Sequence, residues 1–193
     1  FTPLRNAKIS ILDRGFCYGD GLFETLRASN GQIFYIQQHI DRLFDSLQQV
    51  LIELPMTRLE LTKVVKETLA RNNYKNAIIR LMVTRGDTDS NIQIDSKIHP
   101  TLVINIRPFT PLPKVAYKKG IRVMLFQERA NLINGLSLRL KSCNYLSNII
   151  IKELSNKKNY TEGVVVDPDF GVTEGTTSNI FIVEQGQLKT PPL

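Results

Sequence analysis

A lysine that stands where a polar segment becomes an apolar, periodic one is the residue that first suggests chemistry. Lys141 precedes apolar residues whose spacing predicts one face of a helix over 142–158, namely Leu146, Ile149, Ile150 and Leu154. Lys141 would then lie at or near a helix N-terminus. The helix macrodipole makes this an unfavourable place for an ammonium group, so the amine would lose its proton easily. A deprotonated lysine is a nucleophile.

A carboxylate follows this lysine at a point where a strand is expected to end. Glu174 comes directly after a predicted β-hairpin and just before small polar residues, which include Thr176 and Asn179. Such short side chains commonly bond to nearby backbone groups. Taken alone, Lys141 could be a solvated lysine and Glu174 an ordinary loop acid.

The elements of the N-terminal part are predicted from hydrophobic periodicity and turn signals. A strand is predicted at 7–13, a glycine-rich loop at 14–21, and a hairpin at 22–36 that turns at Asn30-Gly31. An amphipathic helix runs from Gln37 to before Pro55, and a Thr57/Glu60 capping box opens a second helix that ends near Asn72. Strands follow at 77–84 and 101–106. The two helices would cover one sheet.

A proline-rich linker at 107–113 separates this region from the rest of the chain. We therefore predict an N-terminal α+β domain at 1–106 and a second domain at 114–193. In the second domain we predict a strand at 120–126, an irregular segment at 127–140, the helix after Lys141, a hairpin of 163–167 and 170–173, and a hairpin at 179–189 that turns at Gln185-Gly186.

Composition narrows the class of protein. The chain of 193 residues is 42% hydrophobic and 22% charged, which is ordinary for a soluble globular protein. We find neither an apolar run of membrane-spanning length nor a secretory signal, so a cytoplasmic location is expected. The two cysteines and two histidines form no disulfide or zinc pattern. The net charge of +7 suits a small anionic ligand, but the scattered basic residues do not favour nucleic acid.

Several motifs together resemble one enzyme family. The stretch Lys141-Ser-Cys-Asn-Tyr-Leu and the later stretch Glu174-Gly-Thr-Thr-Ser-Asn-Ile-Phe resemble the class IV, fold type IV pyridoxal phosphate enzymes. The family includes branched-chain and D-amino-acid aminotransferases and aminodeoxychorismate lyases. DRGFCYGDGLFETLR at 13–27, His39-Ile-Asp-Arg42-Leu and VTRG at 83–86 extend the resemblance over nearly the whole chain. It implies a two-domain α+β fold, with a β-rich second domain that carries the lysine, and a homodimer with active sites near its interface.

The resemblance also implies roles for individual residues. Lys141 would hold pyridoxal 5′-phosphate covalently and then move the substrate proton, while Glu174 would keep the pyridine nitrogen protonated. Arg42 would anchor the cofactor phosphate, although the helical pattern alone makes it a solvated arginine. Thr176 and Asn179 would lie near the cofactor.

Further site residues rest on similarity or on helical spacing. Tyr145 would share the lysine's face of the helix and place its phenol near the cofactor 3′-oxygen, although a packed core tyrosine is as good an interpretation. The residues expected on the substrate side are Tyr18, Phe23 and Tyr35, with Arg85 and Arg107 as candidate carboxylate binders. Nothing in the spacing selects between the two arginines.

The motif at 23–27 separates the activities within the family. Phe23-Glu24-Thr25-Leu26-Arg27 looks more like aminodeoxychorismate lyases, because branched-chain aminotransferases usually read Phe-Glu-Gly there. The loop 86–93 lacks the Arg-x-His of the D-amino-acid type. We therefore expect a lyase that forms p-aminobenzoate and pyruvate for folate biosynthesis, with an aminotransferase as the alternative. Family members continue past Leu193 with phosphate-binding segments, so a fragment and a non-catalytic homologue stay open.

Overall fold

The structure is a computed structural model that describes residues 1–88, 92–94, 98–127 and 140–191. These residues fall into two units. The first contains Phe1–Thr110 and Leu140–Asn144, and the second contains the rest of the described chain. Among the described residues, no helix is both long enough and apolar enough to cross a membrane.

The first unit is one antiparallel sheet with helices on one face. Its elements are α1 (Arg14–Tyr18), β1 (Gly21–Ser29), β2 (Gln32–Ile33), α2 (Ile36–Gln49), α3 (Arg58–Asn72), β3 (Ala77–Thr84) and β4 (Thr101–Pro108). The strand order is β2-β1-β3-β4. This architecture confirms the predicted α+β class and the two helices that cover one sheet.

The core of this unit follows from the alternation of side chains along its strands. Every second residue of β3 is buried, and Leu22 and Leu26 of β1 point into the same core. The helices contribute the core residues Ile40, Leu43, Leu47, Leu61 and Val65. The predicted capping box is present, because Thr57 and Glu60 each bond to the other's backbone at the start of α3.

Two local predictions near the N-terminus have different outcomes. The hairpin turn at Asn30-Gly31 is confirmed, and both residues have the positive φ that such a turn requires, 49° and 79°. The strand predicted at 7–13 is wrong. Only Asp13 forms a bridge, to Asp87, and Ile9 and Ile11 are exposed, so their alternation faces solvent instead of a core.

The second unit contains a three-stranded sheet and a separate hairpin. Its elements are α4 (Lys114–Lys119), β5 (Val123–Gln127), α5 (Leu146–Lys157), β6 (Glu162–Asp167), β7 (Gly171–Gly175), β8 (Ile182–Glu184) and β9 (Gln187–Lys189). β5 pairs with β6 in parallel and β6 with β7 in antiparallel. α5 packs closely against β6. A Cβ built on Gly163 of β6 would lie only 2.5 Å from a methyl group of Ile151 on α5. The predicted turn at Gln185-Gly186 joins β8 to β9.

The division of the chain differs from the predicted domains in two places. β4 extends to Pro108, so the start of the predicted linker 107–113 belongs to a strand. Leu140–Asn144, predicted as part of the second domain, groups with the first unit. The predicted irregular segment at 127–140 lies largely outside the described residues.

Two leucines on α3 provide a matched test of this core. Leu61 is fully buried, whereas Leu59 is 63% exposed on the same helix. We expect Leu61→Ala to lower the free energy of unfolding by about 2–5 kcal/mol, because it leaves a cavity among packed side chains. Leu59→Ala should change it by no more than about 0.5 kcal/mol. Urea unfolding measures both, and equal losses would contradict the described core.

Candidate active site

Lys141 lies on a short non-helical segment that pairs with β1. The backbone N–H of Phe23 donates to the Lys141 carbonyl at 2.8 Å, and the N–H of Cys143 donates to the Gly21 carbonyl at 2.9 Å. Ser142 thereby forms a bridge with Leu22. The side chain of Lys141 is exposed, and its Nζ lies 5.7 Å from the centre of the Phe23 ring. The pairing therefore places the lysine beside β1 in the first unit.

This arrangement corrects the predicted helix start. α5 begins at Leu146, with Tyr145 as its N-cap, so residues 141–145 are not helical. The reason is that backbone groups of Lys141 and Cys143 are used in the pairing with β1. The helix dipole consequently does not act on Lys141 as predicted. Tyr145 does not share a helix face with Lys141 either, and its predicted contact with the cofactor loses that support.

Two positively charged side chains, those of Arg80 and Lys141, lie near the Phe23 ring. Phe23 is 3% exposed, and the guanidinium carbon of Arg80 lies 3.5 Å from the ring centre. Arg80 also donates from Nη1 to the Thr25 hydroxyl at 3.3 Å. A guanidinium over an aromatic face is attracted by the negative charge of that face. Sequence reasoning missed Arg80, which was visible only as a charged residue within an apolar strand.

A buried carboxylate binds the arginine that was expected to hold a phosphate. Glu24 is 1% exposed and accepts hydrogen bonds from Arg42 Nε at 2.6 Å and Nη2 at 2.7 Å. His39 Nδ1 lies 2.8 Å from the same carboxylate. Burial raises the pKa of Glu24, but the hydrogen bonds from His39 and Arg42 outweigh burial and hold the pKa below its ordinary value. Bonding to Glu24 raises the pKa of Arg42, so this pair stays charged.

One surface depression of the first unit brings several predicted residues together. Its lining includes Phe23, Glu24, Arg42 and Lys141, with Leu22, Leu43 and Ser46 beside them. The predicted lysine and the predicted phosphate anchor thus share one site. Their roles toward a cofactor remain predictions.

Arg85 is buried and forms several hydrogen bonds within the first unit. It is 6% exposed, and it donates to both carboxylate oxygens of Asp20, at 2.8 and 3.1 Å. It also donates to the carbonyls of Val50 and Leu51. Its guanidinium therefore has several partners within the fold, and its role as a substrate carboxylate binder stays a prediction.

Asp20 also holds the glycine-rich loop that leads into β1. Arg14 donates from Nε to Asp20 at 2.7 Å. Burial raises the pKa of Asp20, but hydrogen bonds from Arg85 and Arg14 outweigh it and lower the pKa. Asp13 caps α1 and accepts a hydrogen bond from the Thr84 hydroxyl at the end of β3. The glycine-rich loop, which leads into β1, is thereby fixed to the end of β3.

The other residues predicted on the substrate side lie at the surface. Tyr18 is 51% exposed at the end of α1, and Tyr35 is 73% exposed at the N-cap of α2. Arg107 is exposed on β4, opposite Ile78, which itself pairs with Arg27 of β1. Direct partners in neighbouring strands share a face, so Arg107 lies on the sheet face of Phe23.

In the second unit, Glu174 lies one residue before the end of β7, as predicted, and its side chain is exposed. The turn after it is held by Glu162, which sequence reasoning missed. Glu162 accepts hydrogen bonds from the hydroxyls of Thr176 and Thr177 and from the Gly163 N–H. The Thr176 hydroxyl is thus used within the protein. Asn179 is exposed directly after the turn that joins Gly175 to Ser178.

The electrostatics of Glu162 predict a pH-dependent stability. Burial raises its pKa, but hydrogen bonds from Thr176 and Gly163 and the charge of Lys152 outweigh burial and lower it. A lowered pKa stabilises the fold above the unfolded-state pKa, and this contribution is lost as the pH falls through the folded-state pKa. Glu162→Gln should therefore lower the free energy of unfolding by about 1–3 kcal/mol near neutral pH. The loss should shrink below about pH 4.

Chemical unfolding at a series of pH values measures this difference. Glu153→Gln, at an exposed position of α5, is the matched control and should cost no more than about 0.5 kcal/mol. A Glu162→Gln loss that stays constant on acidification would contradict the charged state assigned to Glu162.

Known proteins of one family match most of this chain. The family model for amino-transferase class IV matches residues 21–193. A putative branched-chain-amino-acid aminotransferase from Methanocaldococcus jannaschii is 39% identical over all of this chain, which covers 66% of that protein. The branched-chain aminotransferase from Thermoproteus uzoniensis, solved with norvaline, has a TM-score of 0.85 at 28% identity, over 99% of this chain and 65% of that chain.

A third relative carries a different activity in its name. The 4-amino-4-deoxychorismate lyase from Pseudomonas aeruginosa has a TM-score of 0.77 at 26% identity, over 94% of this chain and 66% of that chain. The chain spans about two thirds of the length of these relatives. The match to the family model extends from β1 through Lys141 to the turn after Glu174 and beyond. The chain belongs to the class IV aminotransferase family.

Proposed function

We propose that the protein containing this chain is a pyridoxal phosphate-dependent aminotransferase for amino acids with aliphatic side chains. The observation that carries the proposal is the depression shared by Lys141, Phe23 and Arg42. It combines an amine for a carbonyl carbon and a guanidinium for a phosphate, beside the buried Phe23 ring. Among the described residues, Nη1 of Arg42 makes no hydrogen bond, so it can still donate to a ligand. These groups fit the cofactor.

Each residue then has a task in transamination. Pyridoxal phosphate supplies an aldehyde and an electron-accepting ring. Lys141 would hold the cofactor through Nζ and, once displaced by the substrate amine, would move the proton at the amino-bearing carbon. Arg42 would bind the phosphate, and the carboxylate of Glu174 would keep the pyridine nitrogen protonated.

The sheet face around Phe23 supports an aliphatic substrate. The first row across the three strands is Phe23, Met82 and Val103, which are apolar. The next row is Thr25, Arg80 and Asn105. An apolar row beside an arginine suits an enzyme that alternates between an aliphatic amino acid and a dicarboxylic partner. The names of the Methanocaldococcus jannaschii and Thermoproteus uzoniensis relatives support the same substrate class.

A lyase for aminodeoxychorismate is the second candidate. The motif Phe23-Glu24-Thr25-Leu26-Arg27 favours it, and the Pseudomonas aeruginosa relative bears that name. The exposed Thr25 hydroxyl beside Arg80 provides a polar contact that a ring carboxylate could use. The two activities share removal of the proton at the amino-bearing carbon. They differ in whether the cofactor keeps the amino group afterwards.

Amino donors offered to the full-length protein separate the two candidates. With L-valine or L-leucine, the visible absorbance of the bound cofactor should disappear, and 2-oxoglutarate should restore it, because the amino group passes through the cofactor. D-alanine is the control donor and should act far more slowly. Aminodeoxychorismate should give no p-aminobenzoate.

The opposite results identify the other candidates. Equal amounts of p-aminobenzoate and pyruvate from aminodeoxychorismate, without added oxo acid, would establish the lyase and reject the aminotransferase. A protein that binds no cofactor and responds to none of these compounds would be a non-catalytic homologue.

A further inference from the structure

Glu24 occupies a position where an apolar residue would be expected. It lies on the core-facing side of β1, between Leu22 and Leu26, and it is 1% exposed. Removing a carboxylate from water is unfavourable even when the carboxylate is paired, and a buried ion pair is weak evidence for a gain in stability. The presence of this carboxylate therefore calls for a role beyond packing.

Glu24 accepts hydrogen bonds from one edge of the Arg42 guanidinium and from His39. Nε and Nη2 of Arg42 each donate to a different carboxylate oxygen, at 2.6 and 2.7 Å. His39 donates from Nδ1 to the second oxygen at 2.8 Å, because an ionised carboxylate can only accept. Arg42 Nη2 also lies 3.4 Å from that histidine nitrogen. Both carboxylate oxygens are thus engaged.

This fork fixes the direction of the remaining donors. The guanidinium is planar, so holding Nε and Nη2 against Glu24 fixes the plane of the group and the direction of Nη1. The side chain of Arg42 is 46% exposed, and the depression that Arg42 lines also contains Lys141. An arginine held in this way loses less side-chain entropy when it binds an anion than a freely rotating one would.

We propose that Glu24 is a positioning residue, which holds Arg42 in the orientation that binds the phosphate of the cofactor. The inference rests on the proposed function, since it takes Arg42 as the phosphate anchor. Charge and positioning predict opposite effects of removing the Glu24 carboxylate on the binding of the phosphate. A carboxylate beside the site repels a phosphate, so charge alone predicts that removing it tightens binding. Positioning predicts that removing it weakens binding.

Pyridoxal 5′-phosphate and pyridoxal isolate this effect in the full-length apoprotein. Both carry the same aldehyde, so the ratio of their dissociation constants reports the phosphate contact. Glu24→Gln should weaken the binding of pyridoxal phosphate about tenfold or more, because the amide keeps one acceptor oxygen and cannot accept from both Nε and Nη2 of Arg42. It should change pyridoxal binding by less than about twofold. Absorbance titration measures both constants.

Two variants complete the comparison. Asp41→Asn removes the same charge one residue from Arg42, at a carboxylate that pairs with Arg58, and should leave the ratio unchanged. Arg42→Gln should abolish the preference for the phosphorylated ligand. If Arg42→Gln leaves that preference intact, the cofactor placement of the proposed function fails and this inference fails with it.

Each result for Glu24→Gln either supports or overturns the positioning role. Tighter or unchanged binding of pyridoxal phosphate would overturn the positioning role, as would a parallel loss for pyridoxal. If the variant does not fold, the Arg42 Nε–H resonance of the unsubstituted protein provides the test. It should keep the chemical shift of a bonded group when inorganic phosphate or pyridoxal phosphate is added, and a shift to the position of a free guanidinium would overturn the inference.

Discussion

The backbone pairing of residues 140–143 with the start of β1 is the constraint on which the candidate site depends. Two hydrogen bonds, from Phe23 to Lys141 and from Cys143 to Gly21, bring a lysine from late in the sequence beside the first strand. The pairing places its amine near the Phe23 ring and in the depression of Arg42. The pairing thereby fixes the position of the lysine backbone relative to β1 and to Arg42, the proposed phosphate anchor.

Buried or half-buried carboxylates hold the parts of the molecule that bear the candidate residues. Asp20 ties the glycine-rich loop to Arg14 and Arg85, Glu24 orients Arg42, and Glu162 gathers the hydroxyls of the turn after Glu174. Each keeps its negative charge because its hydrogen bonds outweigh the cost of burial, and its pKa is lowered accordingly. Loops fixed in this way position functional groups with little freedom to reorient.

Local patterns predicted much of the fold. The alternation along β3, the capping box of α3 and the Asn30-Gly31 turn depend on near neighbours, and the structure contains all three. The motif resemblance also assigned roles to Lys141, Glu174 and Arg42, which stay predictions, and the structure places Lys141 and Arg42 at one depression. The prediction of a strand at 7–13 was wrong because alternating apolar residues indicate a strand only where one face of that strand packs against a core.

Long-range partners account for what the sequence could not predict. The apolar run after Lys141 does form a helix, but nothing in that run signals that the residues before Leu146 pair with β1. Arg85 could not be separated from Arg107 by spacing, since only the fold shows that Asp20 binds Arg85. Glu24 and Glu162 were missed because their hydrogen-bonding partners are distant in the sequence.

The central claim is that Lys141 is the residue that holds the cofactor, and covalent trapping tests it most directly. Borohydride reduction of the full-length holoprotein, followed by digestion and mass spectrometry, should locate the cofactor on the peptide that contains Lys141. Lys152, whose ammonium is bound by Glu162 and the Thr161 carbonyl, should stay unmodified. Recovery of the cofactor on any lysine other than Lys141 would contradict the account.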